Sequence, residues 1–185
     1  MKLLVIGHGR HGKDTVCEIL QEKYDLSFES SSRFCSKHFI FDLLKDKYNY
    51  KDEYDCYNDR FNHRTEWYNA IREYNKDDDS RLGREILKRY NIYSGLRNKN
   101  EFFALKKNKV FDYAIWVDRC DHLPKEDPSS MSIEQWMCDY TLDNNGSLER
   151  LEKNVYTLMR TIFRNRGLSL PASTALQFSA EYADS

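Results

Sequence analysis

No stretch of eighteen consecutive apolar residues occurs in this chain, so nothing in it has the length and polarity of a membrane-spanning helix. Its start runs directly into an apolar strand pattern, without the basic and then apolar anatomy of a secretory signal, and the expected location is the cytoplasm. Cysteine is sparse and unordered: the five residues Cys17, Cys35, Cys56, Cys120 and Cys138 are odd in number and form no Cys-x-x-Cys pair. That excludes a disulfide framework and a zinc-ribbon arrangement, and leaves reduced thiols. An excess of one charge is also missing. The formal net charge of −1 argues against a broad, non-specific nucleic-acid coat, although a local basic cleft remains open. Proline is scarce, and two of the three lie in one polar segment, residues 121–130. There is no internal repeat. With 185 residues, 40% of them hydrophobic and 32% charged, the expectation is one domain with a substantial core and an ionic surface.

What is present is concentrated at the beginning, in MKLLVIGHGRHGKDT. Apolar Leu3–Ile6 enters Gly7, four residues intervene, and Gly12-Lys13 opens an amphipathic segment. The pattern is strand, Gly-rich loop, helix, and Gly7-x-x-x-x-Gly12-Lys13 has the spacing of a phosphate-cradling loop. Glycine lets backbone N–H groups turn inward around an anion, and the helix that follows directs the positive end of its dipole at the same point. The backbone from Gly7 through His8, Gly9, Arg10, His11 and Gly12 to Thr15 is therefore the candidate phosphate cradle, with Lys13 as a mobile charge for the β- and γ-phosphates. Asp14 stands where such loops place a Ser or Thr hydroxyl for Mg²⁺, and Thr15 follows it. A carboxylate is also a hard oxygen ligand, so Asp14 and Thr15 are the candidate metal ligands.

Periodicity places the remaining elements. Residues 15–24 read as a helix and 26–28 as a short strand. Ser30-Ser31-Ser32 can cap the next helix, and Arg33 is placed where an acceptor would meet it beyond a strand end. Residues 34–47 look helical, and 48–57 irregular. In 58–68, Arg60 and Arg64 are spaced to share a helix face, with Asp59, His63, Glu66 and Trp67 nearby. Paired arginines suit phosphate, while Trp67 is expected in the core. A helix follows at 80–90, a strand at 91–94 running into a loop, a helix at 98–107 and a buried strand at 111–118. The polar segment 121–130 reads as a mobile flap. A short helix near 133–138, a strand at 140–143 and a helix at 148–164 capped by Ser147 complete the pattern, with a flexible tail beyond. Strands alternating with helices about five times predict an α/β fold whose parallel sheet is covered on both faces.

Three separated stretches resemble the nucleoside monophosphate kinase group of P-loop kinases. GHGRHGKDT is similar to the loop of bacteriophage deoxynucleoside monophosphate kinases. IYSGLRNKNEF, Ile92 to Phe102, resembles the third strand and loop of those kinases and of dephospho-coenzyme A kinases, except that Ser94 replaces the strand-end acid. CDYTLDNNGSLERLEKNV, Cys138 to Val155, is similar to their last strand and helix, where the turn lies beside the nucleotide base. Together with DRFNHRTEW and PKEDPSSMSI, the set looks like a phage subgroup that includes the 5-hydroxymethyluracil DNA kinases of thymidine hypermodification.

The resemblance implies a three-layer P-loop NTPase fold with a parallel five-stranded sheet, ATP as donor and Mg²⁺ as cofactor. It implies a kinase domain over residues 1–164, with an acceptor-binding insert near 34–75, a flap near 119–135 and a tail at 165–185. The acceptor would be 5-hydroxymethyluracil in DNA or a free deoxynucleoside monophosphate. Lys13 bridges the donor phosphates, Arg97 and Arg119 neutralise the transferring group, and Arg33, Arg60 and Arg64 hold the acceptor's phosphate. Asp59 and Glu66 are candidate bases for a hydroxymethyl acceptor, because an alcohol must lose its proton. A nucleotide-binding module without catalysis is the rival from another class, kept open by Asp14 and Ser94.

Overall fold

Strand β1 (Leu3–Ile6) lies at the centre of the sheet and is buried along its whole length. Its side chains alternate, and that alternation sorts the core into two layers. Leu4 and Ile6 face Phe34, Leu44, Ile86 and Phe102 on one side, while Leu3 and Val5 face Val16, Leu20, Val155 and Met159 on the other. A strand buried on both faces reads as a continuous apolar run, as in Leu3–Ile6 and in Ala114–Val117.

In the computed structural model, residues 1–172 are described. Strands β2 (Phe28–Ser30), β3 (Ile92–Ser94), β4 (Tyr113–Asp118) and β5 (Tyr140–Asp143) join β1 in the order β2-β3-β1-β4-β5, all parallel. Helices α1 (Lys13–Tyr24) and α8 (Leu148–Asn165) cover one face. The other face carries α2 (Ser31–Cys35), α3 (Phe41–Tyr48), α5 (Arg64–Tyr74), α6 (Arg81–Arg89) and α7 (Lys99–Lys107), with α4 (Glu53–Asp59) beside α3. This is the three-layer α/β arrangement expected from the sequence. Because every strand runs the same way, the segments that follow all five strands gather at one edge of the sheet.

Three expectations for residues 34–68 need correction. The stretch 48–57 is not wholly irregular: α4 starts at Glu53, because the Asp52 side chain accepts from the N–H groups of Tyr54 and Asp55 and caps it. Arg60 and Arg64 do not share a helix face. Helix α4 ends at Asp59, residues 60–63 form a turn, and α5 begins at Arg64. The continuous helix expected over 34–47 starts earlier, at Ser31, and contains a π-helical turn, Ser36–Ile40. Strand β2 sits two residues later than the pattern placed it. Of the expected C-terminal tail, residues beyond 172 lie outside the described residues.

Candidate active site

The loop between β1 and α1 is held open by two glycines. Gly7 has φ +154° and lies against the backbone of β4, where a Cβ would meet the Val117 carbonyl oxygen at 2.6 Å. Gly12 has φ +89°, and a Cβ there would stand 2.2 Å from Asn144 Nδ2. That amide donates to the His11 carbonyl at 2.8 Å, so the loop after β5 braces the loop after β1. Helix α1 has no side-chain cap at its start, which leaves its first turn pointing positive dipole and N–H groups at the loop. Gly12→Ala is expected to lose about 3 kcal/mol of stability, from the left-handed backbone and the displaced Asn144 bond together. Chemical denaturation checks it.

Lys13 Nζ donates to the His8 carbonyl at 2.7 Å. Burial and then the Arg97 charge lower its pKa from the usual lysine value. Asp14 is exposed on the first turn of α1 and Thr15 is half-buried behind it. Ser94 at the end of β3 is buried against Cys17, so that strand end presents a hydroxyl and no carboxylate. The oxygen donors nearest the cradle in sequence are therefore hard ligands of the kind Mg²⁺ takes.

The segment expected as a flap lies down on this loop. The Gly9 N–H donates to Glu126 Oε2 at 2.6 Å, and Arg97 Nη1 donates to Glu126 Oε1 at 2.7 Å. Burial pushes the Glu126 carboxyl up, but the Arg97 bond and charge outweigh it, and the net position is below the usual carboxylate range. The Glu126 N–H donates in turn to His8 Nδ1. Arg119, at the mouth of the segment, donates its N–H to His11 Nδ1 at 3.1 Å. Both imidazoles titrate below the ordinary value, for burial above all. Glu126 was not among the sequence candidates. Its sequence signal was its place in the polar stretch PKEDPSSMSI after β4.

His11, Asp118 and Cys120 bring ligand atoms within 4.8 Å of one another. They make a poor metal centre. With Nδ1 accepting from Arg119, the His11 proton is left on Nε2, and burial with the Asp118 hydrogen bond pushes the Cys120 thiol up to about 11.

Beyond β2, the arginines expected to hold an acceptor come together around two rings. Arg33 lies over Tyr57 at 5.6 Å, Arg60 over Tyr57 at 3.9 Å and over Phe61 at 4.2 Å, and Arg64 over Phe61 at 5.2 Å. Arg60 also donates to the Tyr57 carbonyl at 2.8 Å. A cleft of about 300 Å³ opens beside Arg33, Lys37, Tyr54 and Tyr57, with Glu29 and Glu53 on its wall. Trp67 is in the core as expected, whereas Phe61 is exposed.

Asp59 and Glu66 are committed to a closed network. Asp59 accepts from Tyr50 Oη at 2.6 Å and from Asn62 Nδ2 at 2.6 Å, and lies 2.9 Å from His63 Nε2. Glu66 accepts from Lys47 and Tyr48 and lies 3.3 Å from His63 Nδ1. The Tyr50 and Asn62 bonds lower the Asp59 pKa, and the Lys47 and Tyr48 bonds lower that of Glu66. Carboxylates engaged in this way orient the turn that carries Arg60 and Arg64, and their affinity for a proton is reduced.

The sequence matches no protein-family model and no curated protein. Similarity appears at the level of structure. Shikimate kinase from Aquifex aeolicus superposes with a TM-score of 0.51 at 15% identity, over 88% of this chain and 98% of that one. Shikimate kinase from Bacteroides thetaiotaomicron is also matched, with a TM-score of 0.46 at 11% identity over 88% and 98% of the two chains. The similarity to the Aquifex protein shows a shared three-layer α/β fold, in which this chain carries the Gly7–Lys13 loop between β1 and α1.

Proposed function

We propose that the protein is an ATP-dependent phosphotransferase acting in the cytoplasm on the 5-hydroxymethyl group of 5-hydroxymethyldeoxyuridine in phage DNA, as a step of thymidine hypermodification. The observation that carries the donor half is the cradle itself, an uncapped helix start and a Gly-rich loop whose Gly9 N–H already holds a carboxylate oxygen. The backbone from His8 to Thr15 receives the donor phosphates, with Lys13 between them. Asp14 and Thr15 would hold Mg²⁺, which would neutralise phosphate charge when bound. Arg97, which follows β3, and Arg119, which follows β4, would neutralise the transferring group.

The acceptor half rests on the Arg33, Arg60 and Arg64 row and its rings. Guanidinium groups grip phosphate, and exposed aromatic faces accept bases. Tyr54, Phe61 and Tyr68 are each about 60% exposed, and exposed rings of this kind can stack on the bases of a nucleic-acid strand. The engaged state of Asp59 favours a second reading, a deoxynucleoside monophosphate kinase, because a monophosphate is already anionic and needs no base.

ATP labelled on its γ-phosphate, offered with 5-hydroxymethyluracil duplex DNA and separately with free deoxynucleoside monophosphates, tests both readings. Label on DNA supports the first and label on mononucleotides alone the second. Label on neither leaves a nucleotide-binding module. With the labelled acceptor in hand, Asp59→Asn separates two roles. A base would lose about 10²-fold or more in turnover with a flattened acid limb in the pH–rate profile, whereas an organiser of the turn would raise the acceptor KM with turnover nearly kept.

A further inference from the structure

Three groups that the donor reading assigns to phosphate are already taken. Gly9 N–H and Arg97 each bind one oxygen of Glu126, and Lys13 binds the His8 carbonyl. The Glu126 N–H bound to His8 Nδ1 pins the same residue to the loop through its backbone. A carboxylate and a terminal phosphate offer these donors the same kind of oxygen, and the phosphate carries more charge. Gly9 permits the approach: a Cβ on it would stand 3.1 Å from Glu126 Oε1.

The strap that delivers Glu126 is tied at its far end. Ser132 donates to the Arg97 carbonyl through its N–H at 3.0 Å and through Oγ at 3.2 Å, and its Oγ accepts from the Lys99 N–H at 2.9 Å. Met131 and Ile133 on either side of it are buried. Between that anchor and Arg119, the Glu126 side chain reaches the phosphate loop, and its carboxylate joins the loop after β1 to the loop after β3.

We propose that Glu126 is a built-in competitor for the donor phosphate. The strap 119–132 latches the phosphate loop through this carboxylate. A nucleotide binds by displacing it, and the same displacement frees Arg97 for the transferring group. The inference rests on the reading of the loop as the donor site. Its consequence is that observed affinity equals intrinsic affinity reduced by the fraction of molecules that are unlatched. The Arg97 and Glu126 side chains are 44% and 24% exposed, so the latch is modest in strength and yields to a polyanion.

Glu126→Gln keeps the size and an acceptor oxygen and removes the charge. Two measurements on the full chain read it. Without nucleotide, amide hydrogen exchange in residues 122–131 should quicken in the variant while β4 is unchanged, which also shows that the fold is intact. With Mg²⁺, calorimetric affinity for ATP should rise roughly three- to tenfold. Unchanged exchange in the strap would overturn the latch whatever ATP does. Equal or weaker ATP binding by the variant would overturn the competition and make Glu126 part of the nucleotide site. If neither protein binds ATP, the donor reading fails and the competition with it, while faster exchange would still register the closing contact.

Discussion

Lys13→Ala should lose about 10²-fold or more of phosphoryl transfer, read as turnover of the γ-phosphate of ATP, while the protein stays folded. A preorganised cation at the point where charge moves contributes on that scale. The side chain is half-buried and its pKa is depressed by burial, so the fold gains nothing from its charge. Its Nζ donates to a carbonyl of the same loop, five residues away. The melting temperature of the variant should therefore equal that of the wild type or exceed it slightly. Nucleotide affinity should fall less than turnover, because the backbone donors and the helix dipole remain. Turnover within about fivefold of the wild type would remove Lys13 from the chemistry and favour the non-catalytic module.

The second large effect concerns stability. Glu101, on α7, is buried under the sheet and its carboxyl is pushed up by burial to about 8, although the Tyr93 hydroxyl donates to it at 3.1 Å. Unfolded, that group ionises near 4.5. Between these values the native protein holds a proton that the unfolded chain has released. Stability contributed by this group is thus complete below the unfolded value and is lost as pH rises through the folded one. A shift of this size corresponds to at most about 5 kcal/mol, and relaxation around the charge lowers the realised cost to about 2–3 kcal/mol. Glu101→Gln removes the ionisation while keeping a polar partner for Tyr93. It should raise the melting temperature by about 5–10 °C at pH 8.5 and change it little at pH 5. Parallel pH–stability profiles for the two proteins would show that Glu101 is charged in the fold.

Where reasoning from the chain succeeded, the determinants were local. Ser147 and Asn98 cap α8 and α7 through their own side chains, within three residues of the groups they satisfy. The strand Tyr140–Asp143 and the apolar run of β4 follow from period and composition alone. The errors arose where local patterns were weak or misleading. Helix α4 (EYDCYND) has almost no apolar contrast, and one capping aspartate defines it. The spacing of Arg60 and Arg64 allowed a shared helix face, but the intervening turn broke it. The two were instead drawn together by Phe61, which packs under both guanidinium groups.

The sequence by itself determined the glycine-rich loop after β1, the alternation of strands with helices, and the parallel sheet covered on both faces. Each of these is written in backbone freedom at glycine, in side-chain period and in capping, all of which act over a few residues. The tertiary structure alone decided which side chains meet at the sheet edge. Glu126 binds Gly9 across 117 positions of chain, and Asn144 braces His11 across 133. Such contacts depend on where five parallel strands end in space, and no local pattern encodes that placement. Burial is of the same kind: Glu101 sits on a helix with charged neighbours, and only the packing of α7 against the sheet takes its carboxyl out of water.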